Sequence, residues 1–183
     1  LHKAIRRQRQ MCIRDRCTIL LMSDKVAIGF RVEPTKITYS IVKNDSSSNY
    51  EIIRTDKINV TKSQFITDQL TLLRSQVISV IKDYGVNYVG IKTMESNSQT
   101  VNILRCYIEG VVIEALASLC IDKLFVGNIV QLEPLLEMKR KEIKSCIDGA
   151  SYYGIDSTIK NKVTRESILA AIGSLKMISN DGR

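Results

Sequence analysis

The first third of the chain carries its apolar residues in short segments, whereas the rest carries them at helical spacing. Between residues 26 and 58, apolar side chains alternate with polar ones or run together between turn-forming residues, which predicts three β-strands. The predicted strands are Val26–Val32, Lys36–Val42 and Tyr50–Ile58. Because the turn 33–35 contains Pro34 and the loop 43–49 is short and polar, we expect an antiparallel meander.

Beyond residue 60, apolar residues recur every three or four positions in segments that two short apolar strands separate. This spacing predicts three long helices, which cover about 66–84, 98–119 and 164–177. The two strands are Tyr88–Ile91 and Lys123–Val126. The second helix contains Gly110, which costs up to about 1 kcal/mol relative to alanine in a helix. We therefore expect that helix to pack closely on the sheet.

Local signals indicate where the helices begin and end. Thr61 and Gln64 have the spacing of a capping box, in which each side chain binds a free backbone N–H of the first turn. Gly85 follows the first helix, where a left-handed residue is expected. Pro134 favours the first turn of a further helix, which we expect to end near Cys146.

The order of these elements predicts an α/β fold with a five-stranded mixed sheet flanked by helices. Three strands come first as a meander and strand–helix units follow, whereas a doubly wound fold alternates strand and helix from its start. The length suits one domain with one sizeable core. We predict a single domain over residues 22–178 and a tail over residues 179–183.

Residues 1–21 are expected to be an artefactual or disordered extension and not part of that domain. The stretch Arg6–Arg16 reads RRQRQMCIRDR and resembles the translation of a transposase adapter used in sequencing libraries. The segment holds six of the 27 Lys and Arg residues and one of the 19 Asp and Glu residues. The remaining 21 cations and 18 anions reduce the net charge from +8 to +3. Met22 is then the predicted start, and the pI of 9.3 carries little weight as a sign of nucleic-acid binding.

Cysteine and histidine usage argues against a zinc centre. Beyond residue 21 the cysteines are Cys106, Cys120 and Cys146, and the only histidine of the chain is His2. Wide spacing without histidine partners disfavours zinc, and apolar neighbours predict buried thiols. An unpaired cysteine set favours a reducing, cytoplasmic compartment. No apolar stretch approaches the roughly 20 residues of a membrane span, so we predict no membrane partner.

The element order resembles the ribonuclease-H-like fold and, within it, the branch of the Holliday junction resolvases. The resemblance covers residues 25–175 and is closest to a small bacterial family of that branch. The counterparts of that family's elements are Ala27–Val42, Phe65–Tyr84, Tyr88–Lys92 and Met94–Leu119. Order and spacing carry the resemblance, and no specific motif does.

The resemblance implies where the catalytic acids of an active member would lie. Active members use carboxylates to hold two metal ions that cleave phosphodiesters. The implied positions lie in the first strand, at the end of the fourth strand and at the start of the last helix, where this chain has Arg31, Lys92 and Glu166. Two cations oppose metal binding by Coulomb repulsion. The resemblance therefore implies a degenerate, non-catalytic site without a metal cofactor.

Other interpretations of these positions remain open. Arg31 and Lys92 fit the binding of a phosphate or carboxylate anion, or else they are solvated residues at strand ends. A shift of register would instead bring Glu33, Glu95 and Glu166 together, with a glutamate of the long helix. That arrangement would restore a nuclease that depends on Mg²⁺ or Mn²⁺.

A cluster of cations after the fifth strand is the strongest candidate for nucleic-acid contact. The cluster comprises Lys139, Arg140, Lys141 and Lys144, extended by Lys160, Lys162 and Arg165. These charges suit a phosphate backbone, and Tyr152 and Tyr153 suit stacking on bases. Because Glu137 and Glu142 are interspersed, the same pattern also fits a charged helix face that meets only water.

Three functional hypotheses follow. The first is a non-catalytic protein of the ribonuclease-H-like fold that binds nucleic acid or a protein partner. The second is a metal-dependent, structure-specific nuclease with displaced carboxylates. The third, which the resemblance implies, is a structural subunit of a homodimer.

Overall fold

The computed structural model describes residues 25–44, 50–95, 101–119, 121, 123–152 and 155–180. The predicted extension 1–21, Cys120 and Tyr153 lie outside this part of the chain. The five predicted strands are confirmed, each with ends within two residues of the expected ones. They are β1 (Val26–Val32), β2 (Lys36–Asn44), β3 (Tyr50–Asn59), β4 (Tyr88–Lys92) and β5 (Lys123–Gly127).

The strands form one mixed sheet in the order β3-β2-β1-β4-β5. The first three pair antiparallel, as the predicted meander requires, while β4 pairs parallel with both β1 and β5. Because β4 adds beside β1, the carboxyl ends of these two strands meet at one edge of the sheet. The predicted fold class, a five-stranded mixed sheet flanked by helices, is confirmed.

Five helices cover the two faces of the sheet in the described residues. They are α1 (Ile66–Asp83), α2 (Ile103–Ala117), α3 (Ile129–Leu136), α4 (Arg140–Asp148) and α5 (Lys162–Asn180). On one face, α1 and α2 pack against the even-numbered residues of β1, such as Ile28 and Phe30. On the other face, α3, α4 and α5 form a second apolar cluster that includes Ala27 and Val42.

Helix α5 lies against the centre of the sheet because glycines on β1 and β4 leave room for it. A Cβ atom added to Gly29 would overlap the carbonyl oxygen of Ser167, and one added to Gly90 would overlap that of Ala170. Ser167 also exchanges a 2.6 Å hydroxyl–hydroxyl hydrogen bond with Ser40 of β2. The residues of α5 from 167 to 172 are all fully buried, so this helix is a central element of the fold.

Several local predictions were wrong. The Thr61–Gln64 capping box does not start α1, which begins at Ile66 after Phe65, a residue without a capping side chain. Pro134 does not open a helix. Helix α3 begins earlier, where Asn128 and Gln131 form a capping box, and Pro134 lies inside it.

The single helix expected after Pro134 is in fact two helices. The left-handed residue Glu137, with φ of 55°, ends α3, and α4 begins at Arg140. The close packing expected at Gly110 is also wrong, since a Cβ atom added there meets no atom within 4 Å. Gly85, in contrast, has the predicted left-handed conformation, with φ of 58°.

The predicted burial of the thiols holds for one of the two described cysteines beyond residue 21. Cys146 is buried as predicted, whereas Cys106 is exposed. Burial raises the pKa of the Cys146 thiol, although the charge of Arg165 opposes that effect.

None of the helices in the described residues combines the length and apolar character that a membrane span requires.

Candidate functional site at the ends of β1 and β4

The register of β1 and β4 brings two cations side by side. Arg31 pairs with Lys92 in the parallel ladder, one step beyond the pair of Phe30 and Ile91. Alternation along each strand places Arg31 on the same face as Gly29, and Lys92 on the same face as Gly90. Both cations therefore lie on the side of the sheet that α5 covers.

Lys92 is buried although it carries a charged group. Its side chain is only 1% exposed. The ammonium nitrogen lies 2.9 Å from the carbonyl oxygen of Thr93 and 2.7 Å from Oε1 of Glu95, and it donates a hydrogen bond to each. It also lies 3.9 Å from Oε1 of Glu166. The interpretation of Lys92 as a solvated strand-end residue is wrong.

Arg31 ties the end of β1 to α5. Its Nε donates to Oε2 of Glu166, and its Nη1 donates to the carbonyl oxygen of Lys92 at 3.3 Å. The side chains of Arg31 and Glu166 are 15% and 14% exposed, so their ion pair is largely shielded from solvent. The anion that Arg31 holds is thus a carboxylate of the chain itself.

Glu95 connects the buried cation to α3 and α4. Its Oε1 accepts a hydrogen bond from the backbone N–H of Ile129, the first residue of α3, at 3.3 Å. Its Oε2 lies 3.8 Å from Nη2 of Arg140, the first residue of α4. Burial acts to raise the pKa of Glu95, but Lys92, the Ile129 N–H and Arg140 outweigh burial and hold that pKa below its usual value.

The structure adds an ion pair that the sequence analysis missed. Arg105 and Glu109 of α2 are 13% and 14% exposed, and Arg105 Nε donates to Glu109 Oε1 at 3.1 Å. Burial lowers the pKa of Arg105, repulsion from Arg31 lowers it further, and Glu109 and Glu166 oppose both effects. The signal in the sequence is the spacing of four residues, which places an arginine and a glutamate on one helix face.

The cations predicted for nucleic-acid contact lie on the surface beside this site. Lys139, Arg140, Lys141 and Lys144 are all exposed. The carboxylate of Glu142, which lies within this group, accepts a hydrogen bond from the backbone N–H of Lys139 at 2.7 Å. We name this group of four the α4 basic surface. One of its members, Arg140, contacts Glu95.

Arg165 does not belong to that surface, contrary to prediction. Its side chain is fully buried. The guanidinium donates five hydrogen bonds of 2.6 to 3.0 Å to backbone carbonyl oxygens between residues 146 and 159. Three of these carbonyls lie at or just beyond the end of α4, on Cys146, on the C-cap residue Gly149 and on Ala150. Free acceptors and the helix dipole favour a cation there. Arg165 therefore holds residues 149, 150, 156 and 159 against α5.

The predicted role of Tyr152 in base stacking does not fit its position. The ring is half-buried and packs against the second apolar cluster. Its hydroxyl donates to the carbonyl oxygen of Leu136 at 3.0 Å.

Solved structures of known proteins share this arrangement of strands and helices. RuvC of Thermus thermophilus superimposes with a TM-score of 0.62 at 10% identity, over 85% of this chain and 96% of that one. The same protein "in complex with Holliday junction substrate" gives 0.61 at 11% identity, over the same shares. The yeast mitochondrial Holliday junction resolvase Ydc2 gives 0.54 at 12% identity, over 83% of this chain and 79% of that one. The chain has the fold of the Holliday junction resolvases. No protein-family model and no curated protein matches the sequence.

The resolvase fold implies metal ions at the site, and the residues described here do not fit them. Among these residues, no group of three or more His, Cys, Asp or Glu side chains lies close enough together to hold a metal ion. Glu95 and Glu166 both approach Lys92, but Glu33 does not join them and instead lies 3.4 Å from Lys36 in the turn after β1. Two carboxylates thus face a buried ammonium group and a guanidinium group.

Proposed function

We propose that this chain is a non-catalytic protein of the resolvase fold that binds nucleic acid through the α4 basic surface. The observation that carries the proposal is the position of Lys92. Its buried ammonium lies between Glu95 and Glu166, and Glu95 in turn reaches Arg140 of α4. A neutralised former centre and an exposed cationic surface are therefore neighbours.

The balance of charge at the site supports the lack of catalysis. Arg31 and Lys92 match the charges of Glu95 and Glu166, so these four groups carry no net negative charge. Hydrolysis assisted by two metal ions needs an excess of carboxylate oxygens, because Mg²⁺ and Mn²⁺ are hard cations that prefer such ligands. Because Lys92 and Arg31 already pair with the carboxylates of Glu95 and Glu166, few oxygen ligands remain free to bind a metal ion.

The geometry of α4 supports nucleic acid as the partner. Arg140 and Lys144 are four residues apart and Lys141 and Lys144 three, so they lie close together on exposed turns of one helix. Such a group offers several cations to the phosphates of a nucleic-acid strand, and Lys and Arg dominate sequence-independent binding of this kind. RuvC of Thermus thermophilus has the same fold and is seen with a Holliday junction substrate, so branched or duplex DNA is the first partner to test.

Binding to fluorescein-labelled four-way junction, duplex and single-stranded DNA tests this proposal. We expect fluorescence anisotropy to show binding that weakens steeply as salt rises. The triple variant Lys139→Ala, Lys141→Ala, Lys144→Ala should bind about tenfold or more weakly, and its salt dependence should be shallower by up to about three units of log K per log salt. Arg140 is left intact because it also contacts Glu95.

A matched control removes the same charge elsewhere. The control positions are three exposed lysines away from α4: Lys57 on β3, Lys62 just before α1 and Lys82 on α1. Their replacement by alanine should change the affinity for DNA much less. Equal losses in the two triple variants would show that only net charge matters. Absence of DNA binding at low salt would remove nucleic acid as the partner.

A further inference from the structure

The burial of Lys92 requires an explanation beyond packing. Transfer of an ammonium group out of water is unfavourable unless close partners compensate it. Lys92 is the last residue of β4 and is 1% exposed. An apolar residue would fill the same volume without that cost, so the charge itself has a consequence at this position.

The partners of the ammonium group are all oxygens. They are the Thr93 carbonyl oxygen at 2.9 Å, Glu95 Oε1 at 2.7 Å and Glu166 Oε1 at 3.9 Å. Carboxylate and carbonyl oxygens are also the ligands that a hard divalent cation selects. The set is incomplete for a metal ion, since only two of its members carry charge, yet it converges on one cationic group.

We propose that the Lys92 ammonium is a built-in cation that takes the position of a divalent ion, and that its removal opens a latent divalent-cation site formed by Glu95, Glu166 and the Thr93 carbonyl. This inference rests on the proposed non-catalytic function, because it treats Glu95 and Glu166 as a site from which Lys92 excludes a metal ion. Arg31 remains on Glu166 when Lys92 is removed, so the latent site binds weakly. In the unmodified chain Lys92 excludes the divalent ion. In a variant without Lys92, Arg31 limits the affinity of the site for that ion.

Mn²⁺ binding to the full chain and to variants of Lys92 tests the inference. The first variant is Lys92→Met, which keeps most of the side-chain volume and removes the charge. The second is Lys92→Asp, which also adds an oxygen ligand. Electron paramagnetic resonance counts free Mn²⁺ directly. Thermal unfolding with and without Mn²⁺ gives an independent readout that does not depend on any activity.

We expect no loss of free Mn²⁺ signal with the unmodified chain and one bound ion per chain with Lys92→Met. Saturating Mn²⁺ should raise the Tm of Lys92→Met by about 2–4 °C and that of Lys92→Asp by more. The additional changes Glu95→Gln and Glu166→Gln should abolish the gain. If Lys92→Met is unfolded in metal-free buffer, Mn²⁺ should restore its circular dichroism spectrum.

Three results would overturn the inference: no Mn²⁺ binding by either variant, binding that survives loss of both glutamates, or an unfolded variant that Mn²⁺ does not restore. Each leaves the proposed function standing if the unmodified chain still binds DNA without cutting it. Mn²⁺ binding by the unmodified chain, accompanied by DNA cleavage, would instead contradict the proposed function itself.

Discussion

Arg31 and Lys92 lie opposite each other in the register of β1 and β4, and both reach the carboxylate of Glu166 on α5. Two strands and the central helix therefore meet at one group of balanced charges. Because Lys92 also holds Glu95, which contacts the first residues of α3 and α4, the group links the sheet to three helices. Loss of any one member leaves an opposite charge without its main partner in a shielded position.

Acid should weaken the fold through Glu95. The pKa of Glu95 lies below its ordinary value of 4.5 in the folded chain. A carboxyl group with a depressed folded pKa contributes stability that is complete above the unfolded pKa and is lost as pH falls through the folded pKa. The free energy of unfolding, measured by urea denaturation, should therefore fall as pH drops below about 4.5.

The Glu95→Gln variant isolates this contribution from those of other carboxyl groups. The difference in unfolding free energy between the unmodified chain and the variant should be constant near neutral pH and should shrink in acid. A difference that stays constant across the acid range, or grows there, would contradict the pairing of Glu95 with Lys92.

The approach of α5 to the sheet predicts opposite effects for two kinds of glycine. Gly29→Ala and Gly90→Ala place a methyl group against the backbone of α5, so each should destabilise the chain by about 1–3 kcal/mol or more. Gly110→Ala meets no atom within 4 Å and lies inside α2, so it should stabilise the chain by about 0.5–1 kcal/mol. Thermal and urea unfolding of the three variants check these signs, and a neutral Gly90→Ala would argue against the packing of α5.

Arg165 should contribute more to stability than any exposed arginine. The change Arg165→Met removes the donors for five backbone carbonyls, and each buried acceptor left unpaired costs about 1–3 kcal/mol. A loss of about 3 kcal/mol or more is expected, with faster amide exchange in residues 149–152 and 155–159. Lys162→Ala, which breaks an exposed ion pair with Asp148, is the control and should change stability by about 0.5 kcal/mol at most. Similar effects of the two changes would mean that Arg165 is hydrated in solution.

Alternation and helical spacing were sufficient to predict the sheet and the fold class. The strands of the meander and the parallel β4 follow from short-range patterns that packing does not override. The proximity of Arg31 and Lys92 could be predicted because it needs only the order of the strands and the resemblance to a known fold. The two glycines facing α5 give a further signal, since a small residue in a strand indicates close approach of another backbone.

The partners of each charge could not be predicted, because they depend on where backbone atoms lie in three dimensions. Arg165 has the sequence context of a surface cation, and only the convergence of loop carbonyls around it explains its burial. Pro134 has the context of a helix start, yet Asn128 and Gln131 start α3 earlier through their capping box. For the same reason the sequence left open whether Glu33, Glu95 and Glu166 come together around a metal ion.

Incubation of the full chain with end-labelled four-way junction, duplex and single-stranded DNA in Mg²⁺ or Mn²⁺ tests the central claim most directly. The DNA should remain intact at protein excess over long times, while a salt-sensitive complex forms with the α4 basic surface. A cleavage product that requires the metal and is lost in the Glu166→Ala variant would contradict the account.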